Sequence, residues 1–266
     1  MKTDLLEDAV RIARAAGTLL KERLQTDFSV HYKGEVDIVT EVDRAAQDLI
    51  QDQILQKYPD HGILGEEDLD LHGASGYVWI IDPLDGTTNY AHRFPVFSVS
   101  IAVAFEGEAL CGVVYNPMSE EIFQSVLGEG ASLNACPIRV SGTDRLDRSL
   151  LGTGFPYNIR ATTDTNLGYF GEFAVRTQGI RRCGSAALDL CFVAAGRLDG
   201  FWELNLKPWD IAAGALILRE AGGKTTDFTG RPLGLDGSRV LATNGRIHDE
   251  MLQVIRGSSG EGQDRD

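Results

Sequence analysis

Two aspartates frame a turn that directly follows a short apolar run of the chain. The run, residues 78–81, has the length and composition of a buried strand, and Asp82-Pro83-Leu84-Asp85-Gly86 follows it. Asp-Pro favours a turn because the residue before proline is kept out of the helical region. Thr87 and Thr88 come next and are able to open a helix. Carboxylates bind a hard cation and the first N–H groups of a helix bind phosphate, so the pattern predicts a metal–phosphate site. An ordinary turn is the alternative, since Asp, Pro and Gly are common turn formers.

Two further acids stand at the ends of predicted elements. Glu66 directly follows a short apolar strand, residues 62–64, as Asp82 follows its own strand. If the two strands are neighbours, these acids converge; the alternative is a solvated Glu-Glu-Asp run at the start of a loop. Asp210 belongs to Lys207-Pro208-Trp209-Asp210. An acid in the first turn of a helix stabilises it by ~0.3–1 kcal/mol through the helix dipole, which explains Asp210 without chemistry.

Asp43 also has two interpretations. It comes three residues after Thr40, and the two residues together have the pattern of a helix capping box. That local rule explains Asp43 fully without catalysis. Each acid taken alone is therefore weak evidence for a site, and only their combination is informative.

The overall charge excludes some classes of function. The 266 residues carry a formal net charge of −14, with 43% hydrophobic and 24% charged residues, which is ordinary for a globular protein. Non-specific nucleic-acid binding needs a basic footprint, so we expect no direct nucleic-acid binding. An anionic substrate would need a cation at the site to reverse the local sign of charge.

The cysteines, histidines and apolar runs predict a protein of the cytoplasm. The four cysteines form no Cys-x-x-Cys pair, and the five histidines have no zinc-like spacing. The sequence therefore predicts no disulfide framework and a reducing compartment. The N-terminus is acidic and the apolar runs are short, so we expect neither a signal peptide nor a membrane span.

Helical and strand patterns alternate along the chain, which predicts layers of both. Helices are predicted at 4–24, from Thr40 to before Pro59, and at 164–177, 186–195, 208–220 and 247–255. Strands are predicted at 36–39, 62–64, 78–81, 96–105, 109–115, 121–127, 137–140, 150–155, 179–183, 198–204 and 240–243. A polar stretch, residues 141–148, divides an N-terminal α+β half, 1–145, from a C-terminal α/β half, 146–256. The tail, 257–266, has no apolar residue and is predicted to be disordered.

Three motifs in this order and spacing carry a resemblance to a known family. They are Gly65-Glu66-Glu67, Asp82-Pro83-Leu84-Asp85-Gly86-Thr87 and Trp209-Asp210-Ile211-Ala212-Ala213-Gly214. Over about residues 4–255 the chain resembles the inositol monophosphatase family of magnesium-dependent, lithium-sensitive sugar-phosphate phosphatases. The segments 184–190 and 200–203, together with Arg181-Arg182, are most similar to the bacterial members. The resemblance implies a layered α-β-α-β-α sandwich with mixed sheets.

The resemblance also implies a role for each site residue. Glu66, Asp82 and the carbonyl of Leu84 would hold a first magnesium ion, and Asp82, Asp85 and Asp210 a second. Glu66 would also face a third, looser ion. The predicted catalytic residues are Glu66, Thr87 beside the attacking water, and Asp43, which orients Thr87. The predicted substrate-binding residues are Gly86, Thr87, Ser185, Ala186, Glu203 and Asp210. Lys33 matches a family lysine, with a spacing that differs by one residue.

The activity implied is magnesium-dependent hydrolysis of a small sugar or polyol phosphate monoester by in-line attack of an activated water. Inositol 1-phosphate is the best single substrate, and histidinol phosphate, fructose 1,6-bisphosphate and a nucleotide 3′-phosphate are alternatives on the same fold. An alternative of another class is a regulatory binding protein, since some bacterial relatives are implicated in regulating transcription complexes. The family is commonly dimeric, so a homodimer is expected, with Arg181 and Arg182 near its interface.

Overall fold

A computed structural model describes residues 2–26, 29–32, 38–235 and 237–258 of the chain. Its helices are α1 (Lys2–Arg23), α2 (Glu41–Lys57), α3 (Thr87–Ala91), α4 (Leu167–Ala174), α5 (Ala186–Ala194), α6 (Pro208–Glu220) and α7 (His248–Ser258). Its strands up to residue 137 are β1 (Val30–Tyr32), β2 (Ile38–Thr40), β3 (Gly62–Gly65), β4 (Leu69–Leu71), β5 (Tyr77–Asp85), β6 (Ser98–Phe105), β7 (Glu108–Asn116), β8 (Glu121–Val126), β9 (Ala131–Leu133) and β10 (Cys136–Pro137). The later strands are β11 (Leu150–Thr153), β12 (Gly179–Arg181), β13 (Gly200–Leu204), β14 (Lys224–Thr226) and β15 (Arg239–Thr243).

An eight-stranded sheet in the order β10-β9-β8-β7-β6-β5-β3-β4 brings the first two acidic strand ends together. Its β6–β7 hairpin turns at Glu106 and Gly107, whose φ angles of 49° and 85° suit a tight hairpin turn. Strands β3 and β5 are parallel neighbours, with Gly65 opposite Ile81. The carboxyl ends of parallel strands lie at one edge of a sheet, so Glu66 and Asp82 emerge side by side.

A five-stranded sheet, β12-β11-β13-β15-β14, forms the second β layer. Strand β11 is parallel to both of its neighbours, whereas β15 is antiparallel to β13 and β14. These two large sheets are therefore mixed, and β1 and β2 form a separate antiparallel pair.

Three apolar cores join the layers. The first lies between α1, α2 and one face of the large sheet, where Ile12 and Ile50 are fully buried. The second lies around α5 and α6, which pack between the two sheets. The third lies between the small sheet and the pair α4 and α7, around Trp202. The order is helices, sheet, helices, sheet, helices, so the predicted α-β-α-β-α sandwich is confirmed.

Some element boundaries differ from the prediction. Strand β5 continues through Pro83 to Asp85, because an irregularity between Asp82 and Asp85 lets pairing with β6 resume at Ser98. A bulge of this kind accommodates a proline, which has no N–H for the ladder. Helix α4 begins only at Leu167, because Asn166 before it has a φ of 68°.

The C-terminal helix is longer than predicted. Helix α7 includes Gly257 and Ser258, so the predicted tail begins too early, and residues 259–266 lie outside the described residues. Lys33 and the start of the predicted strand 36–39 also lie outside them. The division into halves near residue 145 stays a prediction: the chain changes sheets there, but the second core is shared. All four cysteines are free thiols, and within the described part of the chain no helix is long and apolar enough to span a membrane.

Candidate active site

One cavity of about 370 Å³ lies where the ends of the two sheets and the first turns of α3, α5 and α6 meet. The predicted metal and substrate residues all line it: Glu66, Asp82, Leu84, Asp85, Gly86, Thr87, Ser185, Ala186, Glu203 and Asp210. Asp43 is the one predicted site residue behind the wall. The structure therefore brings the three sequence motifs to one place, although their metal and substrate roles stay predictions.

Asp85 links the large sheet to the first turn of α5. Its Oδ2 accepts hydrogen bonds from the Ser185 hydroxyl and, at 2.9 Å, from the Ala187 N–H. Its Oδ1 accepts one from the Ala186 N–H at 3.2 Å. Ser185 is also the N-cap of α5, as the sequence predicts, and accepts from the Leu188 N–H. The free N–H groups of a helix start thus stabilise one buried carboxylate.

Gly86 is required by the sharp turn from β5 into α3. Its φ is 99°, and a Cβ there would lie 3.0 Å from the Gly184 carbonyl oxygen and 3.1 Å from that of Val96. Only glycine adopts this conformation readily. Asp82 on the other side of the turn accepts a hydrogen bond from the Leu84 N–H at 3.0 Å.

Asp43 serves as a capping residue and contacts Thr87 at the same time. Its Oδ2 accepts from the Thr40 N–H at 2.8 Å and from the Thr40 hydroxyl at 2.5 Å, which completes the predicted capping box of α2. Its Oδ1 accepts from the Thr87 hydroxyl at 3.0 Å. The Leu84 carbonyl is a second acceptor for that hydroxyl, at 3.1 Å. The two interpretations of Asp43 are therefore compatible.

Asp210 combines two interactions in a similar way. Its Oδ2 accepts from the Lys207 N–H at 2.7 Å at the start of α6, and Pro208 occupies the first position of that helix. The side chain nevertheless lines the cavity. A contact at the start of α6 and a position at the cavity are therefore compatible for Asp210.

Glu66 is positioned through a residue that the sequence analysis missed. Gln47 of α2 is buried, and its side chain accepts from the Glu67 N–H at 3.1 Å and donates to the Glu67 carbonyl at 3.0 Å. These two bonds fix the turn that carries Glu66. A signal was present: Gln47 follows Asp43 by four residues, so it lies on the buried face of α2.

Burial and mutual repulsion raise the pKa values of the acids in the cavity. Burial, followed by the charges of Glu66 and Asp85, raises the pKa of Asp82 well above its usual value. Burial also raises the pKa of Asp85, and it raises that of Asp210 to about 7. The pKa of Glu203 is raised by burial and then by Asp189. Positive charge placed among these groups would be strongly stabilised.

The oxygen atoms that line the cavity suit a hard cation, although they are not arranged as a complete set of ligands around one ion. Among the residues that the structure describes, no three acidic, histidine or cysteine side chains stand together as ligands of one ion. The donors at the cavity are carboxylates and the Leu84 carbonyl, the oxygen ligands that Mg²⁺ and Ca²⁺ take. Among the described residues that line the cavity there is no cysteine, methionine or histidine, the sources of the sulfur and imidazole ligands that softer metals prefer.

Comparison with known proteins places the chain in a family. Residues 1–259 match the sequence profile of the inositol monophosphatase family. The chain belongs to this family. It is 46% identical over 252 residues to an inositol-1-monophosphatase of Synechocystis, covering 94% of this chain and 88% of that protein. It is 45% identical over 255 residues to the Nus factor SuhB of Escherichia coli, covering 95% and 96%.

A solved structure agrees with this assignment. The inositol monophosphatase of Anabaena superposes with a TM-score of 0.88 at 43% sequence identity, covering 96% of each chain. The resemblance inferred from the three motifs is thus confirmed, and the family consists of phosphoric monoester hydrolases. The family acts on small phosphate esters.

Proposed function

We propose that this protein hydrolyses the phosphate monoester of a small sugar or polyol in the presence of Mg²⁺, with inositol 1-phosphate as the best single substrate. The observation that carries the proposal is the convergence of Glu66, Asp82 and Asp210 on the cavity that also exposes Thr87. The name of the Synechocystis relative supports the choice of substrate.

Magnesium held at this cavity supplies the positive charge that neutralises the ester and acidifies water. Glu66, Asp82 and the Leu84 carbonyl would hold one ion, and Asp82, Asp85 and Asp210 a second, with Glu66 also facing a third. The hydrogen bonds from α5 fix the orientation of the Asp85 carboxylate. Less conformational entropy is therefore lost when the site binds an ion.

The Thr87–Asp43 pair would orient the attacking water. The Thr87 hydroxyl has one proton, and the carboxylate of Asp43 is a stronger acceptor for it than the neutral Leu84 carbonyl. With its proton directed at Asp43, the hydroxyl presents its lone pairs to the cavity. It would then accept a hydrogen bond from a water molecule and hold that water in position for attack on phosphorus.

The phosphate and the alcohol would occupy different sides of the cavity. The N–H groups of Gly86 and Thr87 lie at the start of α3 and would contact the phosphate. Ser185 and Ala186 already donate to Asp85, so their part is to form the wall and to hold that carboxylate. Glu203 and Asp210 remain to accept hydrogen bonds from the hydroxyl groups of the alcohol.

Phosphate release from a panel of about a dozen esters tests the proposal. The panel includes inositol 1-phosphate, histidinol phosphate, fructose 1,6-bisphosphate and a nucleotide 3′-phosphate, each with magnesium and with chelator. We expect turnover that requires magnesium and is highest for a polyol ester. Absence of release from every ester in magnesium would refute the proposal.

A second candidate function is regulatory binding, because the chain is 45% identical to a protein named Nus factor SuhB. Complementation of an E. coli strain lacking that protein tests it, with the wild type compared with Asp82→Asn. Equal complementation by both would show a role that is independent of hydrolysis. We further propose a cytoplasmic homodimer, which sedimentation of the purified protein tests.

A further inference from the structure

Gly154 and Glu203 lie side by side in the wall of the cavity. Strands β11 and β13 are parallel, with Thr153 opposite Trp202, and Gly154 and Glu203 are the next residues of the two segments. Both line the cavity. A Cβ on Gly154 would collide with the carboxylate carbon and both carboxylate oxygens of Glu203. The missing side chain of Gly154 therefore leaves the space that the Glu203 carboxylate occupies.

The glycine is required at this position by space and not by backbone conformation. Gly154 does not have the positive φ that Gly86 has, so a residue with a side chain adopts the same backbone without strain. The contact with Glu203 is what excludes a side chain. Alanine at position 154 consequently changes the packing against Glu203 and leaves the course of the chain allowed.

Buried hydrogen bonds hold the backbone at Gly154 in place. The Asn166 side chain donates to the Thr153 hydroxyl at 2.9 Å and to the Gly154 carbonyl at 2.5 Å. It accepts from the Trp202 indole at 2.6 Å, and the Thr153 hydroxyl donates to the Trp202 carbonyl at 2.7 Å. Because Asn166 and Trp202 are buried, these bonds fix Gly154 relative to the strand that carries Glu203.

The Glu203 side chain is held far less firmly than the backbone beside it. Within the part of the chain that the structure describes, no hydrogen bond or salt bridge is made by its carboxylate. The side chain is half-buried and can change rotamer towards the cavity that it lines. A methyl group on residue 154 would therefore move the Glu203 carboxylate, since the hydrogen-bonded strand cannot retreat.

We propose that Gly154 is a specificity-determining residue, because its missing side chain places the Glu203 carboxylate where it accepts a hydrogen bond from a hydroxyl group of the alcohol. The inference rests on the proposed function, in which Glu203 lies on the alcohol side of the cavity. Gly154 acts through Glu203 and makes no polar contact of its own with the alcohol. A larger residue at position 154 displaces the acceptor and lowers the preference for a polyol ester.

The ratio of kcat/KM for inositol 1-phosphate to kcat/KM for phenyl phosphate measures this preference, since phenyl phosphate has no hydroxyl group on its alcohol part. A hydrogen bond to an ionised group changes an equilibrium by about 10- to 100-fold, so we expect Gly154→Ala to lower the ratio by that factor. Gly171→Ala is the matched control, because Gly171 lies on α4 with nothing within 4 Å of its added Cβ. An unchanged ratio in Gly154→Ala would overturn the inference.

Combination with Glu203→Ala tests whether Gly154 acts through Glu203. Glu203→Ala alone should lower the ratio by a similar factor, and adding Gly154→Ala should change it little further, because no carboxylate is left to displace. If Gly154→Ala lowers the ratio as much in the Glu203→Ala background as in the wild type, the methyl group itself blocks the alcohol, and the inference is wrong. An unchanged ratio in Glu203→Ala would also contradict it.

Crystal structures of the wild type and of Gly154→Ala test the placement of Glu203 without any turnover. We expect the Glu203 carboxylate to be displaced in the variant, residues 153–155 to stay in place, and the Tm to stay near that of the wild type. A displaced strand with Glu203 in its original position would refute the inference, as would loss of the fold. If the wild type hydrolyses neither ester, the proposed function fails, whereas the two structures still decide whether Gly154 sets the position of Glu203.

Discussion

Replacement of Asp43 by asparagine separates the capping role of this carboxylate from its contact with Thr87. Oδ2 accepts two hydrogen bonds from Thr40, and Oδ1 accepts one from Thr87. Asparagine is nearly isosteric but offers one acceptor oxygen and one amide donor. If the oxygen keeps its place towards Thr40, the amide faces the Thr87 hydroxyl and donates to it.

The expected cost in stability is small. An N-cap interaction is worth ~0.5–2 kcal/mol, and most of it survives when the amide oxygen replaces Oδ2. Burial raises the pKa of Asp43, so removing the buried charge offsets part of the loss. We therefore expect a decrease in the free energy of unfolding of about 1 kcal/mol at most.

The expected cost in turnover is large. An amide that donates to Thr87 turns the hydroxyl proton away from residue 43, towards Leu84 or the cavity. The lone pairs of Thr87 are then no longer directed at the water. Loss of an orienting or proton-transfer role typically lowers kcat by ~10²–10⁴-fold. Phosphate release at saturating magnesium and substrate, with the Tm measured alongside, checks both expectations.

Two controls make the result decisive. Thr40→Ala removes the capping hydroxyl and leaves the Thr87–Asp43 contact, so it should lower stability by about 1 kcal/mol with kcat nearly unchanged. Thr87→Ala combined with Asp43→Asn should lose far less activity than the two single losses multiplied, because the residues act as a pair. Normal kcat and normal magnesium dependence in Asp43→Asn would refute the reasoning.

Three further predictions concern the periphery of the site and the fold. His248 is buried between the Thr226 and Thr243 hydroxyls, and burial lowers its pKa to about 4. The imidazole of the unfolded chain titrates near 6.5. The contribution of neutral His248 to the free energy of unfolding is therefore complete above about pH 6.5 and is lost as the pH falls towards 4. From pH 7 to pH 5, the free energy of unfolding measured in urea should fall by about 2 kcal/mol more for the wild type than for His248→Gln. Gln47→Leu removes the two bonds to Glu67, so half-maximal activity should need several-fold more magnesium, while Gln53→Leu, at a side chain of α2 that pairs with Arg11 and not with Glu67, should not change it. Lithium should inhibit, and inhibition should weaken as magnesium rises, because a monovalent ion among Asp82, Asp85 and Asp210 supplies too little charge; unchanged activity in millimolar lithium would contradict this.

The sequence predicts where several of the candidate site residues stand, because these residues are tied to local rules. Thr40 and Asp43 form a capping box, Ser185 caps α5, and Pro208 occupies the first turn of α6. Local rules place these side chains at element ends, and element ends in a layered fold face a common edge. The rule for Gly86 is of the same kind, since its positive φ is a requirement of a tight turn.

Residues that act through long-range contacts were not predictable in this way. Gln47 reaches Glu67 across 20 positions, and nothing in either segment alone indicates the pairing. The loop after β11 lines the cavity, and its course depends on Asn166 and Trp202, which the chain brings together only when the small sheet forms. Asp82-Pro83 predicts a turn from local sequence alone. In the structure β5 nevertheless continues through Pro83, because its pairing with β6 resumes at Asp85.

The two interpretations of Asp43 involve different oxygens of one carboxylate. Asp43 uses Oδ2 for the cap and Oδ1 for Thr87, and Asp210 uses Oδ2 for the Lys207 N–H while the side chain lines the cavity. A carboxylate at a helix start is oriented by backbone N–H groups that exist whatever the function is. The fold thereby fixes the direction of the remaining oxygen at no further entropic cost, which is what a preorganised site requires. A helix cap is thus compatible with a catalytic role, provided that the second oxygen is left for another partner.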